Sequence, residues 1–156
     1  YYAKEVFVQI STKFTIAVHL LTAVAYFSES QKVTSDFLAG SIGSNPVIIR
    51  NIMGQLKEAG LIDIKRGPGG ITLEKKLTDI SFLDIYKAVE TNSEEVLFRF
   101  HENPNPLCPI GRTIHKSLDG ALEEIQKNFE AELSKRTLAD VYENSLEELR
   151  KEKQNE

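Results

Sequence analysis

The 156-residue chain is 41% hydrophobic and 27% charged, carries a formal net charge of −4 and has a single cysteine. That composition suits one buried core with an added arm and excludes an intrachain disulfide framework. It holds no apolar run near the roughly 20 residues that span a bilayer. Charge is unevenly spread: residues 1–80 hold nine Lys and Arg against seven Asp and Glu, whereas residues 81–156 hold ten against sixteen. The front half is therefore the part suited to a polyanion.

No element is assigned to Tyr1–Val8, where Lys4 and Glu5, followed by Lys13, interrupt the apolar patches that a leader would need. The cytoplasm is the expected compartment. From Ser11 or Thr12, the residues Phe14, Ala17, Val18, Leu21, Val24, Ala25 and Phe27 recur at threes and fours, which predicts a core-facing helix. Thr34 and Ser35 offer N-caps for a short second helix with Phe37, Leu38 and Ile42, and Gly43-Ser44 breaks it. Asn45 followed by Pro46 is a restart signal, because proline at the first helical position loses only an N–H that has no helical partner. The third helix runs from Val47 to Glu58 with Ile49, Ile52, Met53 and Leu56 inward, and Gly60 suits a left-handed C-terminal cap.

A strand over Leu61–Lys65, the turn Arg66-Gly67-Pro68-Gly69-Gly70 and a second strand around Ile71–Leu73 predict a hairpin with a cationic tip. Ser81 and Asp84 form a capping box for a helix through Ile85, Ala88 and Val89. Residues 91–111 read as irregular, with Pro104, Pro106 and Pro109 around Cys108. A long helix from about Arg112 to Leu133 carries a narrow seam of Ile114, Leu118, Ala121, Leu122, Ile125, Phe129 and Leu133, a spacing suited to helix pairing. Thr137 and Asp140 start a last helix, and Arg150–Glu156 reads as a frayed polar tail.

The order helix, helix, turn, helix, hairpin is that of a winged helix-turn-helix. The expected fold is mainly α with one small β-hairpin: a DNA-binding unit over residues 10–90, a loop region over 91–111, and a dimerisation helix with a C-terminal helix over 112–150. The exposed first turns of the third helix would offer Ser44, Asn45, Val47, Ile48, Arg50 and Asn51 to base edges. Arg50 could pair with guanine and Asn51 with adenine. Lys65, Arg66 and Gly67 form the tip, with Arg66 suited to a narrow minor groove, and Lys13 is a candidate phosphate contact.

The runs Ile42-Gly43-Ser44-Asn45-Pro46-Val47, Arg50-Asn51-Ile52-Met53, Ala59-Gly60-Leu61 and Arg66-Gly67-Pro68-Gly69-Gly70 resemble the Rrf family of bacterial winged-helix regulators (IscR, NsrR and YwnA types). Asp79-Ile80-Ser81, the run Ile85–Glu90 and the loop Asn105–Gly111 extend that resemblance over about residues 10–145. It implies a homodimer on a palindromic operator, acting as a repressor, with the long helix pairing to its mate. Cluster-binding members have three cysteines in the loop before the long helix. This chain has Cys108 alone, so no iron–sulfur cluster or other cofactor is expected, and the resemblance narrows to the clusterless YwnA-like branch.

Cys108, between Leu107 and Pro109, reads better as a small buried packing group than as a redox switch. His19 reads as a structural histidine with a hydrogen-bond partner, and His101 and His115 lack partners at ligand spacing, so no metal site is expected. Tyr86, Phe98 and Phe100 suit either an effector pocket or core packing. An effector, a small molecule or an oxidant, is left open by the sequence. No catalytic constellation is present, and the alternative to a regulator is a winged-helix module that binds protein rather than DNA.

Overall fold

The computed structural model describes residues 11–90, 97, 98 and 100–155. The expectations for Tyr1–Val8 and for most of 91–99 lie outside the described residues. The elements are α1 (Thr12–Phe27), α2 (Ser35–Ile42), α3 (Pro46–Glu58), β1 (Ile62–Lys65), β2 (Gly70–Leu73), α4 (Phe82–Val89), α5 (Ile114–Ser134) and α6 (Leu138–Gln154).

Each early helix starts where a side-chain oxygen satisfies an orphan N–H. Ser11 Oγ accepts from Lys13 N, Thr34 Oγ1 from Phe37 N and Asn45 Oδ1 from Val47 N (2.8 Å). At α4 the exchange is reciprocal: Ser81 Oγ accepts from Asp84 N and Asp84 Oδ2 accepts from Ser81 N, the capping box read from sequence. Between α2 and α3, Gly43 adopts φ +71°, and its N–H and that of Ser44 both donate to Ala39 O. After α3, Leu61 N reaches back to Leu56 O across Gly60 at φ +76°, closing the helix as a Schellman turn.

Leu20, Leu21 and Val24 of α1 pack with Leu38 of α2, Ile49, Ile52 and Leu56 of α3, Leu61, and Ile85 and Val89 of α4 in one buried cluster. The hairpin is antiparallel with Ile62 opposite Leu73 and Lys65 opposite Gly70. It is anchored from outside the sheet, since Ile71 N donates to Val33 O at 3.0 Å. At the tip, residues Gly67–Gly69 form one turn of 3-10 helix.

Three features of the C-terminal third differ from expectation. The long helix begins at Ile114 rather than Arg112, because Cys108, Arg112 and Thr113 are held in successive turns by backbone bonds to Asn105, Cys108 and Ile110. The tail is helical to Gln154 rather than frayed from Arg150. Lys151 Nζ meets Glu148 and Glu147 at 2.9 and 3.5 Å, exposed pairs spaced one turn apart on one helix face. And α6 returns to the winged unit: Leu138 is fully buried in the shared core, Leu138 N donates to Ile80 O, and Phe82 N donates to Arg136 O, both at 2.8 Å.

Gly70 combines φ +63° with ψ −152°, and a Cβ there would stand 2.8 Å from Val33 O. Gly70→Ala should therefore cost about 1–3 kcal/mol in urea unfolding. Gly40→Ala in α2, where a Cβ meets open space, should instead stabilise by roughly 0.5–1 kcal/mol. Equal effects at the two sites would refute this account of the hairpin.

Candidate nucleic-acid interface

Burial of one face of α3 decides what the other face offers. Ile49, Ile52, Met53 and Leu56 point into the core, so Asn45, Val47, Ile48, Arg50 and Asn51 are all turned outward. Val47 and Ile48 are 58% and 43% exposed, unusual for β-branched residues on a helix with ample polar alternatives. Such methyl groups match the C5-methyl of thymine in the major groove. Ser44 is half-buried in the turn before the helix.

Asn45 already has one task, since its Oδ1 caps Val47 N, and both N–H groups of its amide stay available. Arg50 reaches towards Asp36 in the first turn of α2, with Nη2 and Oδ1 4.0 Å apart and side chains 60% and 83% exposed. A pair that long and wet contributes little and leaves the guanidinium free to change partner. Asp36 was not singled out in the sequence, because only the packing of α2 beside α3 sets it there.

At the hairpin tip Lys65, Arg66 and Gly67 are all exposed. The stem of Lys65 lies over Gly69, where a Cβ would fall 2.7 Å from Lys65 Cβ, so glycine at 69 lets the lysine chain lie along the tip. Lys13 is exposed in the first turn of α1, with Ser11 beside it bridging to Glu90 Oε1 at 2.8 Å. The tip and α3 are both carried by the core beneath them.

The remaining sequence candidates are placed less uniformly. In α5 no residue is buried: Leu118 and Ile125 are 38% and 47% exposed, Ala121 is exposed, and Ile114, Leu122, Phe129 and Leu133 are half-buried. Phe129 packs edge-to-face on Tyr86 of α4, centroids 5.5 Å apart, so this part of the seam is used within the chain and Tyr86 is a packing group. Phe98 and Phe100 are exposed at 43% and 38% beside α5. Cys108 is exposed, not the buried packing group expected, because the turns around Asn105 lift it off the fold. His101 and His115 do become neighbours, with ring centroids 5.2 Å apart and His115 Nε2 3.1 Å from the His101 carbonyl oxygen. His19 meets Ser41 Oγ at 3.1 Å.

The Rrf2 family, described as iron-dependent transcriptional regulators, matches residues 10–144. The chain belongs to that family. It is 38% identical over 132 residues to YwnA of Bacillus subtilis (strain 168), described as a candidate HTH-type transcriptional regulator, covering 85% of this chain and 96% of YwnA. A solved structure described as a candidate DNA-binding protein is 31% identical with a TM-score of 0.65, covering 83% of this chain and 97% of its own. A candidate transcriptional regulator from Lactobacillus plantarum is 25% identical with a TM-score of 0.69, covering 94% and 100%. The winged-helix expectation is met, and this Rrf2 protein is a DNA-binding transcriptional regulator rather than an enzyme.

The iron in the family's description finds no matching donor set among the described residues. A cluster commonly takes four thiolates, and Cys108 supplies one. Among the described residues no group of three or more His, Cys, Asp and Glu side chains converges. The residues present do not fit an iron–sulfur cluster.

Asp36 places a negative charge beside the outward face of α3. Asp36→Asn should leave stability within about 0.5 kcal/mol, since the pair is exposed. It should also raise the low-salt association rate with duplex DNA by roughly two- to fivefold. Stopped-flow anisotropy reads this, and an unchanged rate would place Asp36 away from the DNA.

Proposed function

We propose that this protein is a repressor that occupies a palindromic operator as a homodimer and works without an iron–sulfur cluster. The observation that carries the reading is the two-sided character of α3. Its inner face is locked into the core while Val47, Ile48, Arg50 and Asn51 stand free over its first turns. In this reading α3 lies in the major groove, with Arg50 and Asn51 on base edges and the Val47 and Ile48 methyls against thymine. Arg66 enters the minor groove, where narrow A·T-rich stretches concentrate negative potential. Lys13 and Lys65 take phosphates.

Pairing through α5 supports the dimer. A helix of 21 residues with no buried side chain leaves Leu118, Leu122 and Ile125 in want of a partner, and a second α5 supplies the same spacing. A two-fold dimer repeats α3 on two half-sites, which is why the operator is taken as a palindrome. A cytoplasmic location follows from this function.

Fluorescence anisotropy with a palindromic duplex from the gene's own promoter tests the reading. Affinity should fall steeply between 50 and 200 mM salt, as expected for about six or more phosphate contacts. Arg66→Ala should lower affinity and reduce the salt slope by about 1, with fold and oligomeric state unchanged. No binding at low salt would leave a protein-binding module in its place. Separately, Leu118→Glu with Ile125→Glu should give a monomer by light scattering with the helical content retained. A dimer that survives both changes would remove α5 as the pairing helix.

A further inference from the structure

On the side of the winged unit where α6 crosses α1 and the end of α2, a groove of about 490 Å³ is lined by His19 and Tyr26 of α1, Ser41 of α2, and Tyr142, Ser145 and Leu149 of α6. That volume lies within the roughly 300–1,000 Å³ of small-molecule sites. We propose that this groove is an effector site for a small uncharged aromatic molecule bearing a hydroxyl or comparable hydrogen-bonding group. We further propose that its occupancy alters DNA affinity through Ser41. The second part rests on the regulator reading; the first does not.

The lining argues the ligand class. Among the described residues no Asp, Glu, Lys or Arg side chain lines the groove, so none there would compensate a fully charged ligand. The adjoining stretch of α6 carries Glu148 and Glu152, which disfavours an anion further. Aromatic surface comes from Tyr26, 45% exposed, from Tyr142, and from Phe27, which stacks edge-on to Tyr26 at 4.8 Å. Tyr26 and Leu149, at 45% and 39% exposed, leave apolar area uncovered at its mouth. Besides the tyrosine and threonine hydroxyls, a paired polar point is offered by the His19 Nε2–Ser41 Oγ contact of 3.1 Å, with the hydroxyl of Ser145 also in the lining. A flat ring against the tyrosines with one polar group at His19–Ser41 uses all of these features.

The position of Ser41 supplies the coupling. It is in the last turn of α2, directly before the Gly43–Ser44 turn and the Asn45 cap of α3. The His19–Ser41 bond therefore ties the end of α2 to α1 where the chain turns into the DNA-facing helix. A ligand that takes over either partner of that bond, while resting on α6, bears on the angle at which α3 is held. Two arrangements of the α2–α3 turn with different ligand affinity are all that such a coupling requires.

The test uses the full chain and 1-naphthol, a neutral bicyclic ring with one hydroxyl, against cyclohexanol, which has the hydroxyl without the ring. NMR titration should show saturable 1-naphthol binding, one per chain, with shifts at His19, Tyr26 and Tyr142. Cyclohexanol should bind at least about tenfold more weakly, which is the worth of a few aromatic contacts. His19→Ala should weaken 1-naphthol about fivefold, as expected for one hydrogen bond. Ser145→Phe, which fills the groove from an accessible helix position, should abolish it with the circular dichroism spectrum unchanged. Saturating 1-naphthol should change operator affinity in wild type and not in Ser145→Phe. Absence of saturable binding, or binding that survives Ser145→Phe, would overturn the site. Binding with operator affinity unchanged would overturn the coupling. If Ser145→Phe converted a dimer to a monomer, a second copy of the chain would be the occupant and the proposal would fall. Operator binding measured without 1-naphthol keeps the DNA reading separate from all of these.

Discussion

The interaction on which everything else depends is the seating of α3 in the core it shares with α1, α2 and α4. Ile49, Ile52 and Leu56 are essentially inaccessible to solvent and share a cluster with Leu20, Leu21 and Val24. Burial of this kind is worth about 1.5–3 kcal/mol per large aliphatic side chain, far more than any surface contact near the site. A helix turns as a rigid unit, so fixing its inner face at three points fixes the direction of every outer side chain. The Asn45 cap and Pro46 then determine where the outer face begins. The polar residues of the DNA-facing surface are thus placed by apolar ones that never meet DNA.

The hairpin follows a different logic, one of backbone rather than core. Its well-buried apolar side chains, among the described residues, are Ile62 and Ile71, with Leu61 just before. The tip holds its shape because glycine permits the left-handed conformation at 67 and 70 and close approach at 69 and 70. The bond from Ile71 N to Val33 O then fastens the hairpin base to the segment between α1 and α2. Lys65 and Arg66 stand on a support shaped by backbone geometry, with almost no core of its own.

Much of this was legible in the sequence wherever the signal is local. Caps at Ser11, Thr34, Asn45 and Ser81, the glycines at 43 and 60, and the apolar stripe of α3 are each written within a few residues of the element they define. What depends on distant partners was not. Periodicity marked Phe129 as apolar but could not say that Tyr86 would meet it, and it could not place Asp36 beside Arg50. Flanking apolar residues suggested burial for Cys108, whereas the turns built on Asn105 expose it. The groove at His19 is assembled from three helices far apart in the chain, and no single stretch announces it.

The return of α6 has a mechanical consequence. Residues 80–82 and 136–138 are stitched by the bonds Leu138 N to Ile80 O and Phe82 N to Arg136 O, with Ser81 and Thr137 bridged between them. This stitch sits where the end of α5 gives way to α6, and Leu138 pins it into the core. It therefore acts as a fixed joint. The C-terminal end of α5 cannot translate away from the head without tearing two backbone bonds and extracting a buried leucine, and Phe129 on Tyr86 seats the same helix a second time. Displacement from any change of angle about that joint would be largest at the opposite end of the helix, near Ile114.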